Sequence, residues 1–264
     1  AVFLLAINRR VYRQFEGYDW PTAWLHRLTA FQKERWKTLE SEDSNLTAEY
    51  AELGTNFPAE KLKRLNELRR RRLTDYPPAL DLILPTSFGN RLRAFEAYPL
   101  TMYGADSIAL WLRLQTVLPQ PMQQMIGAAQ SSVNFFLNLS ALSGILSAGA
   151  ISAWLVAAQN VTEIGKAPSS PEYLLLFVLY GLASIVMYLM AVEQVPEWGE
   201  TVKTAFDCYL PDLAERLGRP LPRSSSERRL FWNQVSQSVL YQVLFDKQQG
   251  ATPPTVLPNK EFAK

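Results

Sequence analysis

The sequence predicts an all-α membrane protein: a transmembrane helical hairpin carrying a cytoplasmic helical bundle, with a third, N-terminal span left open. Three observations predict it. The first is charge segregation. No Asp, Glu, Lys or Arg occurs between Arg113 and Glu163, and a second charge-free window covers 173–192, although 20% of the chain is charged. Windows of this length suit a hydrocarbon core. The second is helical spacing of apolar residues in the charged remainder. The third is the distribution of Lys and Arg: 17 in residues 1–130, one (Lys166) between the windows, and nine after residue 192. The positive-inside rule then places both flanks in the cytoplasm and the hairpin loop outside.

Four segments follow. Residues 1–20 are read as the end of an N-terminal span and an interfacial segment, 21–130 as a cytoplasmic helical region, 131–195 as the transmembrane hairpin, and 196–264 as C-terminal cytoplasmic helices and tail. The opening run AVFLLAINRR is too short to span and lacks a signal peptide's charged start, so it is expected to be the end of a span that begins upstream. NRRVYRQFEGYDW, residues 8–20, mixes basic and aromatic residues as the headgroup region favours.

Residues 22–42 read as a polar helix and 59–73 as a second, in which Leu62, Leu65 and Leu68 keep helical spacing and Arg69 to Arg72 form a solvated basic end. YPPALDLILP is an extended connector, because proline disfavours helix at and before its own position. Thr86 or Ser87 caps the next helix, expected to stop near Tyr98-Pro99, and Asp106 caps a short one after it. From Met122 to about Gln159 no proline intervenes. At about 1.5 Å per residue that is roughly 57 Å, so the first span projects into water and its membrane part is 139–158. The loop 160–170 contains the Asn160-Val161-Thr162 sequon, which would face outward. The second span is 173–192. Beyond it, Trp198, Val202, Ala205, Phe206 and Tyr209 share a helix face. Ser224 and Glu227 fit a capping box for a last helix striped by Phe231, Val235, Val239 and Val243.

Several function classes are disfavoured. One cysteine, Cys208, excludes an internal disulfide and a multi-cysteine metal site. His26, the one histidine, reads as a surface residue. A net charge of +2 gives no argument for nucleic acid. No phosphate loop, dinucleotide fingerprint or HExxH occurs, and neither span has an ionisable group at its centre, which weakens pump and ion-transporter readings. No metal or cofactor is expected.

Three constellations remain. Ser140, Gly144, Ala148 and Ser152 recur every fourth residue, and small residues let helices approach closely in lipid. Packing against the second span, at Gly181 and Ser184, is preferred over docking to another subunit. Gln130, Asn134 and Asn138 share a face that either forms a polar pocket or, as is commoner, hydrogen-bonds between helices. Arg91, Arg93, Glu96, Asp106 and Arg113 read as a structural ionic joint, with Arg93 and Glu96 spaced to pair, in preference to an acid–base site.

LPTSFGNRLRAFEAYP followed by YGADSIALWLRL resembles a stretch found in a family of uncharacterised bacterial multi-pass membrane proteins, just before a transmembrane hairpin. The matching residues are Pro85, Thr86, Gly89, Asn90, Arg93, Glu96, Tyr98, Pro99, Tyr103, Gly104, Asp106, Trp111 and Arg113. After the hairpin, Gly199, Ala205, Phe206, Asp207, Tyr209, Asp212, Leu213 and Gly218 match a second stretch. The resemblance covers about residues 80–225. It implies the same topology in a bacterial inner membrane, carries no activity, and draws attention to Asn90, Asp106 and Asp207.

The expected function is a non-catalytic membrane subunit or scaffold that binds partner proteins or further copies of itself, in contact with lipid and not with nucleic acid. A component of a small-molecule or lipid transporter or channel is the alternative, and an enzyme using the Asp/Glu/Arg cluster the third.

Overall fold

The structure, a computed structural model, describes residues 10–159 and 171–242. The opening run, the hairpin loop with its sequon, Val243 and the tail lie outside the described residues. Among the described residues, 86% are helical and none lies in a strand. Helix α1 is described over 10–16. It is followed by α2 (Thr22–Leu53), α3 (Ala59–Asp75), α4 (Ser87–Tyr103), α5 (Ser107–Gln115), α6 (Gln120–Gln159), α7 (Pro171–Arg216) and α8 (Ser225–Tyr241). The chain divides into two compact units. One comprises Ala1–Arg13 and Ala128–Val195, the other Gln14–Gly127 and Pro196–Lys264.

The first unit is built on α6 and α7. At about 1.5 Å per residue both helices exceed the roughly 30 Å of a hydrocarbon core, and both are apolar enough to cross a membrane. Few of their side chains are buried in this unit: Val133, Leu137, Ser140, Ser143, Ser147 and Ala150 of α6 and Ala191, Val192 and Val195 of α7. The outer faces carry Phe135, Leu142, Ile145, Leu175, Leu179, Leu182 and Ile185, each more than half exposed.

The second unit buries its apolar residues conventionally. Helices α2 and α3 form an antiparallel hairpin in which Leu65 and Leu68 are buried while Leu62 faces out. Charged pairs seam it: Arg64 with Glu42 at 3.0 Å, and Arg69 and Arg72 both with Asp43 at 3.1 Å. Two of the four arginines expected to end α3 in solvent are therefore engaged by α2. Trp36 of α2 packs with Tyr76 and Ile83, and the Tyr76 hydroxyl donates to Gln32 at 2.9 Å.

Two departures from expectation have local causes. Helix α4 does not stop at Tyr98-Pro99 but continues to Tyr103 with Pro99 inside it. Proline's fixed φ is helical, so it removes a donor and strains the turn before it without forcing an end. The end comes at Gly104, where φ is 74° and the Gly104 and Ala105 N–H groups donate to Leu100 and Pro99 carbonyls. A side chain at Gly104 would also collide with the Arg229 carbonyl of α8. Helix α7 also contains prolines, Pro196 and Pro211, and is one element. At α8, Ser224 holds the N-cap position but makes no capping bond, because its hydroxyl lies against that of Ser226 at 2.8 Å.

Candidate functional site

Within the stretch 84–99, Asn90 fastens the connector to its helix. Its amide oxygen accepts from the Leu84 N–H at 2.7 Å and its amide nitrogen donates to the Leu84 carbonyl at 2.9 Å. Asn90 is fully buried, so one side chain satisfies both backbone groups of an extended residue that has no ladder partner. Thr86 caps α4 by accepting from the Gly89 N–H at 3.0 Å. Gly89 leaves room for Glu16, whose carbonyl would lie 3.1 Å from an added Cβ. Gly17, at φ 92°, leaves room for Pro85 in the same way. These residues lock residues 16–17 against the start of α4.

The five charged residues are distributed over three local tasks. Arg91 pairs with Asp75 at 2.8 Å, holding the end of α3 to α4. Arg93 donates to the Tyr18 hydroxyl at 2.5 Å and lies 3.5 Å from Glu96, the pair foreseen from spacing. Asp106 caps α5 by accepting from the Ala109 N–H at 2.8 Å, and Arg113 near the other end donates to the Ala109 carbonyl at 3.1 Å. Asp106 and Arg113 thus complement opposite ends of the α5 dipole. The Asp106 N–H also donates to the Ser236 hydroxyl, which in turn donates to the Trp232 carbonyl, tying α5 to α8.

Glu96 is the electrostatic exception. Its side chain keeps 30% of its surface exposed, yet burial raises its carboxyl to about 7 against the downward pull of Arg93. Glu16 and Asp106 add repulsion of the same sign. Burial opposes the charge of Arg93 too, but Glu96, Tyr18 and Glu16 together outweigh it and raise the guanidinium. The pair is therefore unequal: Arg93 is held charged by several partners, whereas Glu96 has one partner and two like charges.

Spacing alone did not suggest a third joint. The hydroxyls of Tyr98 and Tyr103 both donate to Asp207 of α7, at 3.0 and 2.7 Å. Burial and the adjacent carboxylate raise both phenols. The Lys203 ammonium sits 5.4 Å from the centre of the Tyr98 ring. Nearby, Gly199 lets Phe95 against the α7 backbone, since an added Cβ would lie 2.9 Å from its ring, and Trp111 stacks on Phe206. The spacing Tyr98–Tyr103 was visible in the sequence, but no local rule joins it to a carboxylate more than 100 residues away.

In the first unit, Ser140 donates to the Ser184 carbonyl and Ser184 to the Ser140 carbonyl, both at 2.9 Å. Ser147 donates to the Phe177 carbonyl at 2.8 Å. An added Cβ at Gly144 would touch Ser184, and one at Gly181 would touch Ser147, each at 3.4 Å. Ala148 and Ser152 are exposed, and Ser152 bonds back to the Ala148 carbonyl. The α6 positions that meet α7 are 140, 144 and 147, a step of four and then of three. A stripe at every fourth residue drifts about 40° per step around a helix, so Ser152 has left the contact face. Gln130 and Asn138 are exposed, while Asn134 accepts from the Tyr12 hydroxyl at 2.8 Å. The three amides therefore do not converge on a common pocket.

No cluster of three or more His, Cys, Asp or Glu side chains able to hold a metal occurs among the described residues. Asn90 fastens the connector before its own helix, Asp106 caps α5 and reaches α8 through its N–H, and Asp207 joins α7 to α4. No family model, curated protein or solved structure matches the chain.

Proposed function

We propose that the chain is a non-catalytic integral membrane subunit or scaffold, spanning the bilayer with α6 and α7 and binding protein partners through a cytoplasmic helical unit. The observation that supports this most is inverted burial. Only 17% of the most apolar window of α6 and 11% of that of α7 is buried within the chain. The core helix of a soluble protein is covered by its neighbours, whereas a spanning helix exposes apolar side chains to lipid and associates through small residues and interhelical hydrogen bonds. The reciprocal serine pair and the Gly144 and Gly181 contacts are associations of that type. The charge asymmetry supports cytoplasmic flanks. The resemblance of the 84–113 stretch supports a bacterial inner membrane as the location.

The subunit reading is tested by particle mass. After gentle solubilisation, the complex should exceed the 30.0 kDa of this chain by the mass of defined partners or copies. Crosslinkers at exposed positions of the second unit should capture the same species before extraction. A particle that stays monomeric under both treatments refutes the subunit reading.

A further inference from the structure

Among the described residues of its unit, the opening half of α2 keeps one face largely exposed, with Leu28 half-buried within it. Gln32 and Trp36 turn inward, but Trp24 and Phe31 are 66% and 58% exposed. At 100° per residue, Trp24, Arg27, Leu28, Phe31 and Arg35 fall within an arc of about 100°. Arg27 and Arg35 are exposed, and the Arg35 guanidinium lies 5.8 Å from the centre of the Phe31 ring. No acidic residue occurs from Trp20 to Lys33, and the next one, Glu34, is paired with Lys37. His26 is exposed on the opposite side of the same turn.

An exposed Trp and Phe beside arginines with no competing carboxylate fit one occupant by charge and shape. Tryptophan settles at the headgroup level, arginine stems lie along apolar surface while their heads remain in the polar layer, and anionic lipids attract the guanidinium groups. We propose that this face of α2 lies on the anionic surface of a bilayer as an interfacial helix, extending along the chain the basic and aromatic segment that precedes it. This rests on the reading that α6 and α7 span the membrane.

The test uses the full chain with Cys208→Ser, reconstituted in nanodiscs of phosphatidylcholine alone or with one quarter phosphatidylglycerol. Nitroxide labels are placed at Leu28→Cys, within the arc, at His26→Cys, opposite it, and at Ile145→Cys, on the outer face of α6. Collision with oxygen against a water-soluble nickel chelate reports depth. In anionic discs the label at 28 should become protected from nickel while that at 26 stays accessible. Arg27→Glu with Arg35→Glu should return the label at 28 to water. Removing each positive charge lowers the ratio of surface-bound to free α2 about fivefold. Equal nickel access at 28 and 26 in both disc types overturns the proposal. So does equal protection in phosphatidylcholine and in detergent, which would mean that a protein covers the face. The label at 145 separates the two readings: if it is in lipid while 28 is in water, only the interfacial helix fails, and if it is in water, the spanning reading fails first.

Discussion

Glu96→Gln measures whether the α4 joint tolerates its own charge. In the folded chain the carboxyl is raised from an ordinary 4.5 to about 7, with burial the largest cause. A raised carboxyl binds its proton more tightly folded than unfolded. Its contribution to stability is complete below the unfolded value and is lost as pH rises from about 4.5 through about 7. At about 1.4 kcal/mol per unit, the charged form costs on the order of 3 kcal/mol above that window. The 30% of the side chain still in solvent screens part of it, leaving about 2 kcal/mol. Glutamine keeps the shape and removes the charge. Unfolding of wild type and Glu96→Gln, followed by tryptophan fluorescence in nanodiscs, should therefore coincide at about pH 3.5, a full unit below the unfolded value. At pH 8.5 the variant should be the more stable by about that amount. The double difference cancels every other titration in the chain. A variant less stable than wild type at pH 8.5 would refute the reasoning, because attraction to Arg93 would then outweigh burial.

Other positions give sharper structural tests. Gly144→Leu should push Ser184 away and destabilise the α6–α7 pair by about 1–3 kcal/mol, whereas Ser152→Leu, on the exposed face, should change little. Comparable losses in thermal denaturation would reject the seam described above. Asn90→Leu leaves the Leu84 N–H and carbonyl without the amide and should cost about 2–4 kcal/mol, with faster hydrogen exchange at the Leu84 amide as its local signature. Unchanged exchange there would contradict the clamp. For topology, a cysteine at Ser169 should react with an impermeant maleimide from outside intact cells, while the exposed Cys208 should react only after permeabilisation. Labelling of Cys208 in intact cells would invert the orientation proposed here.

Two kinds of information divide between sequence and structure. Whatever depends on near neighbours in the chain was legible beforehand. The charge-free windows announce two long apolar helices, because composition alone decides whether a segment can shed water. Thr86 and Asp106 announce helix starts because a cap reaches only three residues ahead, and Arg93 with Glu96 is a one-turn pairing. Tertiary structure decided the rest. Which face of α6 meets α7 depends on the 3.6-residue turn accumulated over many residues, so the small-residue stripe was seen but its register drifted from Gly144 onward. Pro99 looks like a stop because proline costs a hydrogen bond locally, yet surrounding packing carries the helix through. The assignment of Asp207 to two tyrosines, of Asn90 to Leu84, and of the raised carboxyl at Glu96 arises from burial and from partners brought together by folding. Those energies do not exist in the extended chain, so no pattern in it records them.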